Sequence, residues 1–315
     1  MSSTTSGLAY CAAAMVVLGA SIPVSAVLAE FPTASAQAAR YALGAAALLA
    51  ALAVKRPSAV RIGRGDWLLL AAMAASGLAG FNIALMSALG HADAAVVAAI
   101  VGCVPIGLAV LAPLLSRRTP DGQTLASATI VVIGTTLVHG AGTATTAGVG
   151  AAAAALVCDV VFTLLAAQLT PRLGALRVAA YSCALAVPML VVFAVLTGEV
   201  QQLRAPTPTE AAVVAFLGLV LTAASFLAWF HGIRRIGADV AGVFVALVPV
   251  TALAVTAAGT ASAPRPAAVL GVLTVCAGLV AALHRPVSVP VPHPTVARPG
   301  IAALPRPALL PAAAA

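Results

Sequence analysis

Asp159 sits in LVCDVVF, Leu156 to Phe162, within a run from Gly148 to Leu169 that is almost wholly Ala, Val, Leu and Phe. A carboxylate so placed can bind a cationic or amino-bearing molecule, take up a proton, or rest neutral on a neighbour's hydrogen bond. Thr163 lies one turn further along the same helical face, within reach of that carboxylate. Asn82 is the other strongly polar side chain deep in an apolar run, and it suits substrate contact or hydrogen bonding between helices equally. Ser225 is a weaker candidate, with Ser21 and Ser87, because a serine can bond its own i−4 carbonyl. Asp159, Asn82, Thr163 and Ser225 are therefore the expected substrate- or proton-binding set. Arg40 opens its apolar run and is shallow enough to reach the interface, which suits an anchor or a gate. Trp229 and His231, in AWFHG, are candidates for the same two roles.

The other seven acids have plainer positions. Asp66, Asp121, Glu210 and Asp239 lie at or beside expected helix starts, where a carboxylate accepts free backbone N–H groups. Asp93 opens a run in the same way, Glu30 closes one and Glu199 falls in a loop. The five cysteines all fall inside apolar runs at irregular spacing, which implies small buried hydrophobes without a disulfide framework. His91 and His139 fall at the opposite end from His231, so no metal site is expected, and no cofactor. GAGTATTAGVG, 140–150, lacks the Lys-Ser/Thr ending of a phosphate loop. Nothing assembles a catalytic set.

The elements that must position these residues follow from composition. Of 315 residues, 62% are hydrophobic and 8% charged, against about 25% charged in soluble domains. A helix needs about 20 apolar residues to cross a hydrocarbon core of roughly 30 Å. Ten runs qualify: 8–29, 34–54, 67–89, 93–115, 122–139, 147–169, 175–197, 209–230, 238–259 and 265–284. Unpaired amides are costly in lipid, so each run is expected to be helical, and the fold class is an all-α membrane protein with ten transmembrane helices. Short alternating segments of a membrane barrel are absent. Asp159 then stands about twelve residues into its helix, roughly 18 Å from the start. An Asp at that depth costs about 2.5–3.5 kcal/mol to insert, so it should face the bundle interior or a wet cavity.

The net charge of +8 does not call for nucleic acid, because position accounts for it. With the N-terminus cytoplasmic, inner loops hold Lys55, Arg56, Arg61, Arg64, Arg117, Arg118, Arg172, Arg177, Arg234, Arg235 and Arg285, and outer loops only Arg204 and Arg265. That bias places both termini in the cytoplasm. MSSTTSG lacks the basic start of a cleavable signal, so the first run is expected to be retained. From Arg285 the chain becomes RPVSVPVPHPTVARPG and onward, too Pro-rich for helix, and 285–315 is expected to be a disordered cytoplasmic tail.

Self-comparison reveals a repeat. A shift of 144 residues lays Asp66 on Glu210, Val104-Pro105-Ile106 on Val248-Pro249-Val250, Pro120 on Pro264 and Gly134 on Gly278; Tyr41 meets Tyr181 at a shift of 140. A unit of five spans is odd, so the second copy should enter the membrane in the opposite sense. Charge agrees: Arg117 and Arg118 correspond to neutral Ala261 and Ser262, and Gly90 and His91 to Arg234 and Arg235. The expected units are two inverted five-helix repeats, 1–140 and 141–284. Pro105 and Pro249, equivalent in the two halves, are expected to bend helices and line a cavity.

These features carry a resemblance. FPTASAQAARYALGAAALL at 31–49, ADAAVVAAIVGCVPIGLAVLAPLL at 92–115, RRIGADVAGVFVALVPVTALAV at 234–255 and PRPAAVLGVLTVCAGLVAAL at 264–283 resemble the EamA-type branch of the drug/metabolite transporter superfamily, over residues 8–284. The resemblance implies an inner-membrane carrier that exports a small metabolite, amino acid or drug-like compound by alternating access between its halves. It also implies a small-molecule substrate; the composition calls for a lipid bilayer around the chain, and Asp159 makes proton coupling a candidate drive. The chain departs from the pattern at LLSRRTP and GTASAPRP, where relatives carry Glu, and at Leu18-Gly19, where many have Trp-Gly. An intramembrane enzyme on a lipid-linked substrate would instead need acids, His or Arg clustered near one face. A non-transporting scaffold would have no polar cavity between its halves.

Overall fold

The computed structural model describes residues 3–115, 117–139, 143–260 and 265–283, and the expected tail lies outside them. The described residues form apolar helices numbered here in chain order: α1 Thr4–Leu28, α2 Thr33–Lys55, α3 Arg64–Leu89, α4 Val96–Leu115, α5 Gly122–His139, α6 Thr146–Leu173, α7 Ala175–Leu196, α8 Pro208–Ile236, α9 Ala238–Gly259 and α10 Pro266–Leu283. Eight are long and apolar enough to cross a membrane, and α5 and α10 are shorter apolar helices. The only strand-like pairing among the described residues is an isolated bridge between Ala92 and Ala144.

Polar side chains start and stop these helices. Asp66 accepts from the Gly63 N–H at 2.9 Å, and Glu210 accepts from the Thr207 N–H at 2.7 Å while Thr207 Oγ1 accepts from the Glu210 N–H. The two equivalent acids thus close equivalent helix starts, as the expected caps, and each is also salt-bridged, Asp66 to Arg172 and Glu210 to Arg204. Glu199 caps across the halves: its carboxylate accepts from the N–H groups of Ala34 and Ser35 at the start of α2. Asp93 departs from the expected role. It makes no side-chain bond to its own helix and turns to the Thr143 N–H and hydroxyl, at 2.7 and 3.0 Å. The linker between α5 and α6 brings that threonine against the α3–α4 loop, where Thr145 also bonds the His91 carbonyl. Gly174 alone joins α6 to α7, and Gly237 alone joins α8 to α9, with φ of +82° and +84°. Turning a chain within one residue at such φ requires glycine.

The two halves pack on each other in equivalent pairs. α5 lies on α10 and α2 on α7; α1 packs on α8 and α9, as α6 does on α3 and α4. The α5–α10 contact is reciprocal. A Cβ on Gly134 would press on the Gly271 carbonyl and Val275, and one on Gly278 would press on Val131 and the Ser127 carbonyl. At the other end Gln123 bonds the Ala281 carbonyl, so ascending positions on α5 meet descending positions on α10 and the two run antiparallel. Small residues permit this approach, because lipid gives helices no hydrophobic gain from touching and contact must come from close packing.

Irregular turns recur at matched places. α3 winds as a π-helix over Ala74–Gly80, and α8 over Leu217–Ala224. α4 breaks at Gly102 and Cys103, two residues before Pro105, and α9 narrows to a 3-10 turn over Phe244–Ala246, just before Pro249. Both prolines therefore stand in the first turn of a restarted helix, where no intrahelical N–H is lost.

Two measurements check this architecture. Gly134→Ala and Gly278→Ala should each destabilise the detergent-solubilised protein by about 1–3 kcal/mol through overpacking. Gly150→Ala, with nothing within 4 Å of the added carbon, should be neutral or stabilising. The Thr143 bonds hold the Asp93 carboxyl below its ordinary value of 3.8. Their contribution is present above that value and is lost as pH falls through the lowered one. Asp93→Asn should therefore lower the thermal midpoint at neutral pH, and the difference from wild type should close below the ordinary carboxyl value.

Candidate functional site

A cavity of about 190 Å³ opens where six helices leave their close packing: α1, α2 and α3 from the first half, and α6, α8 and α9 from the second. Its polar lining is Arg40, Tyr41, Asn82, Asp159, Thr163 and Ser225. Its apolar wall is aromatic to a large extent, with Phe81, Phe162, Phe226 and Trp229. The rings of Phe162, Phe226 and Phe230 pack against one another with centroids 5.6–5.9 Å apart. Gly77, in the π-turn of α3, faces Phe162 so closely that any Cβ there would overlap the ring.

The polar groups differ in how they are held. Arg40 donates from Nε to Thr222 Oγ1 at 2.8 Å and from one terminal nitrogen to Gln37 Oε1 at 3.0 Å, and its guanidinium lies 4.9 Å from the centre of the Tyr41 ring. Thr222 in turn donates to the Leu217 carbonyl five residues back, a bond that the π-turn of α8 makes available. Ser225 does the same with Val220. Asn82 donates to the Leu78 carbonyl at 2.6 Å and to the Tyr41 hydroxyl at 3.3 Å, which ties α3 to α2. Guanidinium has five N–H donors, so Arg40 retains capacity after both bonds.

Asp159 is different. Among the described residues it makes neither a hydrogen bond nor a salt bridge; the two salt bridges belong to Arg172 with Asp66 and Arg204 with Glu210. Thr163 is buried beside it on the same wall, but the two are not hydrogen-bonded. The cavity thus holds a carboxylate without a protein partner and a guanidinium with spare donors, contributed by α6 and α2.

Seven of the nine residues singled out in the sequence are accounted for at or beside this space. Asp159, Asn82, Thr163, Ser225, Arg40 and Trp229 line it, and His231 sits just outside, its ring 5.9 Å from that of Tyr10 and its Nδ1 on the Leu227 carbonyl. Arg40, read as an anchor or gate, is part of the cavity lining itself. Pro105 and Pro249 are buried at their helix restarts but do not contribute to the wall. The cavity residue Val245 lies in the 3-10 turn just before the helix restart that carries Pro249. Sequence reasoning missed Tyr41 and Thr222. Tyr41 carried one signal, its alignment with Tyr181 in the repeat; Thr222, in LTAAS beside the candidate Ser225, carried none.

Apolar helices long enough to cross a bilayer, with a largely apolar cavity carrying a few polar side chains between two matched halves, are the features of a multi-pass membrane transporter. The EamA-like transporter family matches the chain twice, over residues 5–140 and 146–283, and the chain belongs to that family. The uncharacterized transporter YetK of Bacillus subtilis strain 168 is 23% identical over 250 residues, 77% of this chain and 76% of YetK. A crystal structure of a protein shares the fold with a TM-score of 0.76 and 21% identity, over 90% of this chain and 99% of that one.

Stability separates the two kinds of polar group. Asp159→Asn should leave the thermal midpoint unchanged or raise it, since no partner is lost and an uncompensated charge is removed. Asn82→Leu should lower it, by about 1–3 kcal/mol for the hydrogen-bonding groups left unpaired. A comparable loss for both would mean that Asp159 has a structural partner.

Proposed function

We propose that the chain is an inner-membrane secondary transporter that exports a small amino acid or similar amino-bearing metabolite by alternating access. In this reading it has ten membrane crossings in two inverted five-helix repeats, 1–140 and 141–284, with both termini in the cytoplasm. Support for the inversion comes from the antiparallel, reciprocal contact of α5 with its equivalent α10. Loops assigned to one face also meet each other. Arg177 holds the Pro57 and Ser58 carbonyls, Arg172 pairs with Asp66, and Glu199 reaches Ala34 and Ser35. Rocking the halves, each adopting the other's arrangement, would then present the cavity to either side.

The observation that carries the substrate class is the unpartnered Asp159 sharing a cavity with Arg40. An ammonium on Asp159 and a carboxylate on the spare Arg40 donors would satisfy both at once, with Asn82 and Ser225 beside them and the aromatic wall around the remainder. Thr163 belongs to the same wall. Trp229 and His231, two residues apart on α8, form the inner gate of this reading. A volume of about 190 Å³ favours an amino-acid-sized solute over a drug-sized one, since drug-sized pockets run from about 300 Å³ upward. The same carboxylate is where we place proton coupling: Asp159 can carry a proton or an ammonium but not both, which drives the two in opposite directions.

Proteoliposomes loaded with a panel of amino acids, simple amines and simple carboxylates test this. Asp159→Asn should lower flux of amino-bearing substrates at least about 30-fold, as expected when a buried charge loses its counter-ion. Arg40→Gln should weaken substrates that bear a carboxylate and spare simple amines. Substrate-driven proton movement, followed with a pH-sensitive dye, should vanish in Asp159→Asn. Wild-type flux of every compound through that variant would overturn both roles of Asp159.

A further inference from the structure

We propose that the corner formed by the α2–α3 loop is a binding site for an anionic phospholipid, with the lipid phosphate held by Lys55, Arg56, Arg61 and Arg64. All four side chains are exposed and, among the described residues, none has a hydrogen bond or a carboxylate partner. The nearby acid is already committed, since Asp66 is buried and paired with Arg172. Four uncompensated cations within ten residues repel one another, so a bound anion is the expected complement.

The loop is built rather than loose. Val60 and Ile62 turn inward and pack on the core, which leaves Arg61 between them pointing out. Arg177, on α7, grips the loop from behind through the Pro57 and Ser58 carbonyls, at 3.1 and 2.5 Å. Arg56 ends α2 in a left-handed turn with φ of 38°, which sets its backbone apart from the helix axis. The cations are thus presented on a fixed frame, whereas a free tail of like charge would sweep through solution.

Apolar neighbours identify the source of the phosphate as lipid. Val54 is 83% exposed, Leu68 71% and Trp67 42%, and the Trp67 ring packs 5.2 Å from that of Tyr181. These flank the basic loop at the ends of α2 and α3. Such side chains belong at the acyl and headgroup boundary, with an aromatic at the interface and cations just beyond it. A headgroup phosphate meeting the four cations would lay its acyl chains along Val54, Leu68 and Trp67. Free inorganic phosphate could use only the cations.

Native mass spectrometry of the purified full chain, released from micelles with equal amounts of phosphatidylglycerol and phosphatidylcholine, tests the site. The wild type should retain phosphatidylglycerol preferentially. The quadruple variant Lys55→Gln, Arg56→Gln, Arg61→Gln, Arg64→Gln should lose that preference, by about fivefold per cation removed. Arg117→Gln with Arg118→Gln, on another loop, should leave it unchanged, and matched thermal midpoints would show that both variants fold. Trp67→Ala and Leu68→Ser should weaken phosphatidylglycerol retention without affecting inorganic phosphate. An undiminished preference in the quadruple variant would overturn the proposal. So would an equal loss per charge in the Arg117 and Arg118 variant, or full displacement of the lipid by millimolar inorganic phosphate.

Discussion

Lipid offers helices no hydrophobic reward for touching each other, so this bundle is held by how closely its backbones approach. Glycine governs that approach. Gly134 and Gly278 seat α5 on α10, Gly44 and Gly218 bring α2 against α8, and Gly7 with Gly232 lets α1 lie on the end of α8. Around Phe162, Phe226 and Trp229 the helices leave a cavity, with Gly77 packed against the Phe162 ring in its wall.

The polar groups follow from the same constraint. A hydroxyl or amide inside lipid must find a partner nearby, and Thr222, Ser225 and Asn82 each reach a backbone carbonyl of their own helix. The π-turns matter here, because winding one residue wider frees carbonyls at Leu217 and Val220 that regular helix would occupy. Thr222 then accepts from Arg40, so an irregularity in the second half orients a guanidinium of the first. Asp159 makes no such bond among the described residues.

Much of this was legible in the sequence, for identifiable reasons. Helix positions follow from runs of about 20 apolar residues, a length the bilayer imposes. The midspan carboxylate stood out because nothing around it was polar. The caps at Asp66 and Glu210 were legible because both precede apolar runs. Other features depend on neighbours that are far away in the chain. Asp93 looked like a helix cap and instead serves Thr143, fifty residues on. Glu199 caps a helix 165 residues before it, and no local pattern announces that. The π-turns in GLAG and LGLVLTAA likewise have no signature in residue type. Pro105 and Pro249 marked the breaks in α4 and α9 but not the wall, because a proline in a first turn directs the chain and leaves the lining to the residues around it.

The single-residue joints at Gly174 and Gly237 bear on how the bundle can deform. With no slack between them, α6 and α7 turn back on each other as one hairpin and α8 and α9 as another, whereas α2 and α3 are joined by the eight residues from 56 to 63, which Arg177 ties down, and α7 and α8 by the longer connection from 197 to 207, which Glu199 ties to α2. Asp159 thus stands near the middle of a helix coupled directly to α7, so any displacement of that carboxylate along the bundle must carry both arms of the hairpin with it.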